Sequence, residues 1–500
     1  MSDTPDKPDT PDVSEPPPER EAGAQIGVDS WVATEQGRRA RGGPLGALAR
    51  GWESTPDAAK LLVFLAAAST LPFWLNEGDL FTYGLFTLLY AILGLGLNVV
   101  VGWAGLLDLG YVAFYGIGAY GYALVSSPQY GIHWPAVVAI PAVMAATALL
   151  GLLLGFSARR LQGDYLAIVT LFFLQAFLAF TGTANPTIAG VGLTGGPNGI
   201  PNLDPLSFFG YRLTSTKQQY FFLLGVLAVV AAAFYLANLS RTGRGWRALR
   251  DDPLAAEVMS IPVDRLKQLA FVIGAATAGL CGAIFAAIEG AVVSTDFTVA
   301  VLITIYAVVI LGGLGSIAGV ILGAIVINVS AQFLAPQSDH PEIKRWLFYG
   351  TVLFLVVALV KPWYRAAVSL LGAVALGFCV HAIVAATAAP SWTAGAAADA
   401  GSGSTGKAIA SWVLITQGHG NFDTYVYIAL VVALIVVRSV SGWWRAVALI
   451  PTLYLIPVVW ENVLAPNPAT TALILFGAML VVLMTTRPQG LLGTPRVEVM

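Results

Sequence analysis

Residues 240–271 read SRTGRGWRALRDDPLAAEVMSIPVDRLKQLAF, the most charged internal stretch of a chain otherwise close to continuous hydrocarbon. Arg241, Arg244, Arg247, Arg250, Arg265 and Lys267 are interleaved with Asp251, Asp252, Glu257 and Asp264, and apolar runs flank the stretch at 219–239 and 268–290. Between two membrane spans, a loop this rich in Lys and Arg is held on the cytoplasmic side. Inside it, 251–260 is expected to form a short helix. Asp251 or Asp252 can cap it, Pro253 suits its first turn, residues 254–259 are mostly good helix formers, and Pro262 stops it. Ten residues make a rod of about 15 Å. Such a rod is shaped to dock into a groove on a soluble partner; a plain solvated loop helix is the alternative reading.

Composition bounds the class. Of 500 residues, 57% are hydrophobic and only 11% charged, whereas soluble domains run near ~25% charged, so this is an integral membrane protein. The net charge of −2 points to no charged partner, and no nucleic acid is expected. Cys281 and Cys379 sit in apolar runs as small packing residues. His133, His340, His381 and His419 are scattered, so neither a metal nor a cofactor site is expected in this chain. Residues 1–55, rich in Pro, Asp, Thr and Glu at their start, are expected to be a disordered cytoplasmic tail without a cleavable signal.

Apolar runs near 60–75, 80–101, 109–125, 134–158, 165–181, 219–239, 268–290, 297–313, 317–334, 346–360, 367–389, 424–437, 445–460 and 469–485 are expected to cross the bilayer. About 20 apolar residues suffice, and buried helices are shorter. With the amino terminus inside, only Arg212, Lys217, Lys344, Arg345 and Lys407 of the 26 Lys and Arg fall outside. That asymmetry is what the positive-inside rule demands, and it makes both termini cytoplasmic. Three places break the pattern: 102–110 (GWAGLLDLG), 194–202 (TGGPNGIPN) and 312–319 (GGLGSIAG). As one helix, 80–125 would be about 69 Å long, so 102–110 is either a tight turn or an unwound, re-entrant segment. Irregular backbone at membrane depth persists only where protein or a watery cavity satisfies it. Glycine-broken helices often line transport paths; packing and simple turns are the alternative.

Several motifs in one order carry a resemblance: GLGLNVVVGWAGLLDLGYVAFYGIGAY (94–120), GDYLAIVTL (163–171), LTGGPNGIP (193–201), GRGWRALRDDPLAAEVMSIPVDRLKQLAF (243–271), VILGGLGSIAGVILGA (309–324) and RPQGLLG (487–493). They resemble the permease subunits of branched-chain amino acid ABC importers, and GDYLAIVTL followed by LTGG is similar to the LivM type rather than the LivH type. The resemblance covers about 60–361 and 469–493. It implies an all-α polytopic membrane protein with the inner-membrane ABC importer permease bundle, its helices broken. It also implies a LivH-type homologous permease as partner, two cytosolic ATPase subunits that use the ATP, and an extracytoplasmic solute-binding protein. The permease domain is then 56–361 with its coupling loop at 240–267. Asp251, Asp252, Leu254, Ala255, Ala256, Glu257, Met259, Ser260 and Pro262 fall where the family's ATPase-coupling helix lies.

The chain also departs from the family. Ser260 stands where Gly is usual, Asp108 where Ser is usual, and Gln175 and Leu178 where a Glu and an Arg are usual. Asp108 either caps the next helix or touches cargo. Residues 362–468 are an insertion with about three spans and a Gly/Ala/Ser-rich external loop at 394–411, before a final helix and cytoplasmic end at 469–500.

Two motifs are coincidental. GSGSTGKA (401–408) imitates a phosphate-binding loop but has Ala408 where a hydroxyl must hold magnesium. GIGAYG (116–121) sits in an apolar span, where its glycines serve helix packing. Nothing resembles a nucleophile–base pair, so the chain is not expected to be an enzyme.

The expectation is therefore an ATP-driven importer permease for branched-chain or related apolar amino acids. Asn98, Gly102, Gly105 and Asp108 are expected along the substrate path, with Thr194, Gly195, Gly196 and Asn198 nearer its outer mouth. Urea or short amides are the alternative cargo within the family. An ion-coupled secondary carrier is the alternative class, for which Asp108, Glu289 and His381 are the ionisable candidates. A variant carrying Glu257→Arg and Ala256→Asp is expected to uncouple ATP hydrolysis from uptake without harming folding.

Overall fold

Small residues recur at every fourth position from Gly274 through Ala278 and Gly282 to Ala286, and again from Ala275 through Gly279 and Ala283 to Ala287. A helix built this way presents two adjacent smooth ridges, against which neighbouring backbones can approach closely. In hydrocarbon, where apolar surface gains nothing by leaving lipid, that close approach is the main source of cohesion.

The computed structural model describes residues 57–158, 164–184, 187–188, 191–208, 210–334, 348–350, 352–353, 363–387, 411–414, 422–440, 442–464 and 490–491. In chain order the helices are α1 (Asp57–Trp74), α2 (Glu77–Trp103), α3 (Tyr111–Val125), α4 (Ala136–Ala158), α5 (Asp164–Ala179), α6 (Thr216–Leu239), α7 (Arg241–Asp251), α8 (Pro253–Val258), α9 (Val263–Glu289), α10 (Val299–Gly312), α11 (Ile317–Leu334), α12 (Trp363–Thr387), α13 (Phe422–Ser439) and α14 (Trp443–Val459). Among the described residues the only strands are two-residue pieces. The chain divides into Met1–Phe64 and Leu65–Met500. Of the first unit, the described part is the opening of α1; the tail 1–55 lies outside the described residues.

Helix α9 packs along α3 and α4 and against α2. A Cβ on Gly282 would lie 2.0 Å from the carbonyl oxygen of Tyr115, and one on Gly118 would lie 2.4 Å from that of Gly279. From α4, a Gly151 Cβ would come within 2.4 Å of the Ala275 methyl. Among the eight described helices long enough to cross a membrane, the most apolar parts of α2 and α9 are 83% and 72% buried, and those of the other six do not exceed 44%. These two helices are the centre of the bundle.

Among the described residues, eight helices are long and apolar enough to cross a membrane, and four shorter apolar helices accompany them. Of the fourteen expected runs, 346–360 and 469–485 lie largely outside the described residues. Leu149, Leu153 and Phe156 of α4, Phe172 of α5, and Val229 and Leu236 of α6 point outward. Such an apolar exterior is stable only in lipid or against another membrane subunit. The protein is thus an all-α, multi-pass membrane protein.

Within 362–468 the described helices are α12, α13 and α14, and they pack on one another. Val413, Val426, Tyr454, Val458 and Val459 form one buried cluster and Ala366, Ala373 and Leu453 another. Phe348 stacks on Trp460 at 3.8 Å between ring centres. Nearly all of the loop 394–411 lies outside the described residues.

Candidate functional site

The last turn of α2 widens into a π-turn, Asn98–Trp103, and helical bonding resumes only at Tyr111. The intervening segment is unwound, with Ala104, Asp108 and Gly110 buried and Gly105 and Leu107 exposed, and several of its backbone groups find partners in the protein. Leu106 N–H donates to Val100 O at 3.0 Å, and Leu109 N–H to the Thr170 hydroxyl of α5 at 2.9 Å. The Tyr306 hydroxyl of α10 accepts from Asp108 N–H at 3.1 Å and donates to Asp108 O at 2.8 Å. The buried Asp108 carboxylate accepts from Gly110 N–H at 2.9 Å, which closes the turn leading into α3. Asp108 thus stands in the turn that enters α3.

The break between α10 and α11 sits directly against the first. Gly313 and Gly315 hold φ of +117° and +88°, open to glycine and strained for other residues. Asn98 Oδ1 accepts from Gly315 N–H at 2.8 Å, and Trp103 Nε1–H donates to Gly315 O at 3.0 Å. Gly102 has no room for a side chain, since its Cβ would lie 2.7 Å from Gly315 N. On the same spot, Arg250 near the end of α7 donates through Nη1 to the Gly102 carbonyl. Trp246 of α7 stacks on Trp103 at 6.0 Å and donates to Leu266 O in α9 at 2.9 Å. The carboxy-terminal residues join too: Leu491 N–H donates to Leu311 O at 2.9 Å, and Gly490 abuts Gly313. Five separate stretches of chain meet at this junction.

The charged loop is two helices, which corrects the expected single helix over 251–260. Asp251 ends α7, and Asp252 swings to φ −153° and caps α8, its carboxylate accepting from Leu254 and Ala255 N–H at 2.8 and 3.1 Å. Helix α8 has six residues, so the rod is about 9 Å long. Met259 and Ser260 turn away because Ser260 adopts φ +61°. A left-handed conformation costs a non-glycine residue roughly 1–2 kcal/mol. Ser260→Gly is therefore expected to raise the melting temperature modestly, read by scanning fluorimetry; an unchanged or lower value would remove the strain argument.

Leu254, Val258 and Met259 are 72%, 84% and 76% exposed, whereas Ala256 is only 4% exposed and faces inward. An aspartate at 256 would bury a charge. The variant combining Glu257→Arg and Ala256→Asp is thus unsuited to test docking without harming the fold. Val258, absent from the sequence-based set, joins Leu254 on one apolar face at i, i+4 spacing.

The expected path residues fall into two groups. Asn98, Gly102, Gly105 and Asp108 lie at the junction. Thr194, Gly195, Gly196 and Asn198 lie beyond the far end of α9. There the strand Ile200–Pro201 pairs antiparallel with Ala291–Val292, and Leu203 N–H donates to Gly290 O at 2.9 Å. Helix α9 has 27 residues, about 40 Å, and joins the two ends. Near its far end lies a cavity of about 270 Å³, walled by Leu89 and Leu93 of α2, Tyr115 of α3 and Phe285 of α9, with Glu289 and Asp296 at its edge. Apart from Glu289, sequence reasoning missed these residues, because apolar residues in spans carry no mark of what they face. Gln175 is exposed on α5 and Leu178 half-buried, so that departure bears on the outer surface of the bundle. Among the described residues no group of His, Cys, Asp or Glu is arranged to hold a metal.

Residues 80–359 match a family described as branched-chain amino acid transport system / permease component. The chain belongs to this family. The match spans both breaks and the charged loop, and it ends before the insertion. The permease is 37% identical to the high-affinity branched-chain amino acid transport system permease protein LivM of Escherichia coli, over 59% of this chain and 72% of that protein. It is 35% identical to LivM of Salmonella typhimurium over the same shares. To LivH of Salmonella typhimurium it is 28% identical over 55% of this chain and 89% of that protein. The LivM type is thus the one this permease follows, and its role is transport rather than catalysis. No solved structure matches it.

Proposed function

We propose that this permease forms one half of the translocation unit of an ATP-driven importer for branched-chain or related apolar amino acids. A LivH-type permease pairs with it, two cytosolic ATPases dock on its charged loop, and an extracytoplasmic binding protein delivers cargo. Both termini then lie in the cytosol, which agrees with the distribution of Lys and Arg. ATP itself binds only to the partner subunits.

The observation that carries this reading is the pairing of α8 with the junction. Helix α8 offers Leu254, Val258 and Met259 outward as an apolar face. Asp252 links it to α7, whose Arg250 holds the Gly102 carbonyl where the two breaks meet. Closure of docked ATPases would push on α8. The push would travel through α7 to α2 and the start of α9, the two central helices, and switch access by tilting them.

The test is Leu254→Glu with Val258→Glu, both exposed and so compatible with folding. The variant is expected to insert normally, to lose co-purification with the ATPase subunits, and to lose uptake by about tenfold or more. Retained ATPase binding with normal uptake would sink the docking role. Accumulation of cargo by the isolated permease under an ion gradient alone would instead establish a secondary carrier.

A further inference from the structure

The cavity at the far end of α9 has features that simple packing does not need. Its apolar side is Phe86, Leu89 and Leu93, successive turns of one face of α2, with Phe285 of α9 opposite. The rings are held by edge and tilted contacts: Phe86 to Phe285 at 6.4 Å and Tyr115 to Phe285 at 5.5 Å. At its edge stand two carboxylates, Glu289 at the end of α9 and Asp296 in the 3₁₀ turn Ser294–Phe297. Asp296 is held in place, its Oδ2 accepting from Val293 N–H at 3.2 Å. Among the described residues lining the cavity there is no Lys or Arg. Glu289 is exposed and Asp296 half-buried; two like charges beside an apolar wall repel one another, and a cation between them offsets that repulsion.

Shape narrows the occupant. The volume of about 270 Å³ lies just below the roughly 300–1,000 Å³ of sites for drug-sized ligands, so a small solute fits. Val301, in the first turn of α10, lines the same cavity, and places the positive end of that helix at its wall. Negative side chains, a helix amino terminus and a largely apolar wall together match the ammonium, carboxylate and side chain of a small apolar amino acid.

We propose that this cavity holds the cargo within the bundle, with the ammonium group at Glu289 and Asp296 and the apolar side chain against Phe86, Leu89 and Leu93. The proposal rests on the importer reading and gives it a site, which lies about the length of α9 from where the force enters. The junction is then the moving part, and the cavity the holding part.

The experiment uses the complete complex in proteoliposomes with its binding protein and leucine as cargo. Glu289→Gln with Asp296→Asn keeps shape and removes both charges. Charge-assisted contacts of this kind correspond to about tenfold or more. Leucine carried per ATP hydrolysed is expected to fall by that factor, while the ATPases keep turning over and the partner permease stays bound. Val301→Phe narrows the cavity without touching the charges, and is expected to slow leucine more than alanine. Wild-type leucine transport in both variants would overturn the cavity as a cargo site. Loss of the partner permease from the doubly substituted complex would overturn it too, since the cavity would then be an inter-subunit surface. A wild-type complex that hydrolyses ATP but imports no amino acid would refute the importer reading itself, a separate and recognisable failure.

Discussion

Gly282→Leu is expected to abolish the folded bundle, with no monodisperse protein recovered from the membrane. A Cβ at this position would lie 2.0 Å from the Tyr115 carbonyl oxygen and 2.7 Å from the Ala119 nitrogen. Both are backbone atoms of α3, so no side-chain rotamer can move aside. Overpacking an ordinary core site costs about 1–3 kcal/mol. Here relief requires moving α3 off α9, and α9 is also the partner of α4 and α2. The internal control is Gly225 of α6, which is exposed and where an added Cβ would meet nothing within 4 Å. Gly225→Leu is expected to leave yield and melting temperature near wild type. Size-exclusion profiles of the two variants side by side give the answer. Equal behaviour would mean that the backbone contact of α3 with α9 does not hold the bundle together.

Arg250→Ala should disconnect the two activities that the complex joins. The guanidinium donates to the Gly102 carbonyl, next to the hydrogen bonds that Asn98 accepts and Trp103 donates, which clamp the α10–α11 break. A hydrogen bond from a charged donor contributes about 1.5–3 kcal/mol. Its loss therefore corresponds to roughly 10- to 100-fold in any step that requires the contact. The expected phenotype is a complex that assembles and hydrolyses ATP but imports little. Arg250→Lys should recover part of the uptake, since an ammonium can donate to one carbonyl though with less fixed geometry. The check is the ratio of cargo imported to ATP hydrolysed. An unchanged ratio in Arg250→Ala would show that force does not pass through this contact.

The sequence and the structure differ most instructively at 251–260. Two adjacent aspartates both make good caps, and local propensity cannot choose between them. The choice falls to Asp252 because its extended backbone lets one carboxylate oxygen meet two amide groups. The chain must also turn there so that Arg250 can reach Gly102. The glycine usual in the family at position 260 reads as a bare preference until the left-handed turn at Ser260 supplies its reason. At Asp108 the structure adds the bond from Gly110 N–H that closes the turn into α3, a contact that no local signal announces.

By itself the sequence determined the membrane class, the family, the position of nearly every described span and the places where helices break. Those are local signals: hydrocarbon content, charge bias between spans, and residues whose backbone freedom is unusual. Only the tertiary structure decided that the two breaks share hydrogen bonds across 217 positions, that Gly490 closes against Gly313, and that residues scattered from Phe86 to Val301 line one cavity. In a chain this apolar, hydrophobic pattern no longer distinguishes core from surface, because lipid accepts both. Which faces meet is then chosen by the fit of glycine against backbone and by a few polar groups that find one another only once the helices are packed.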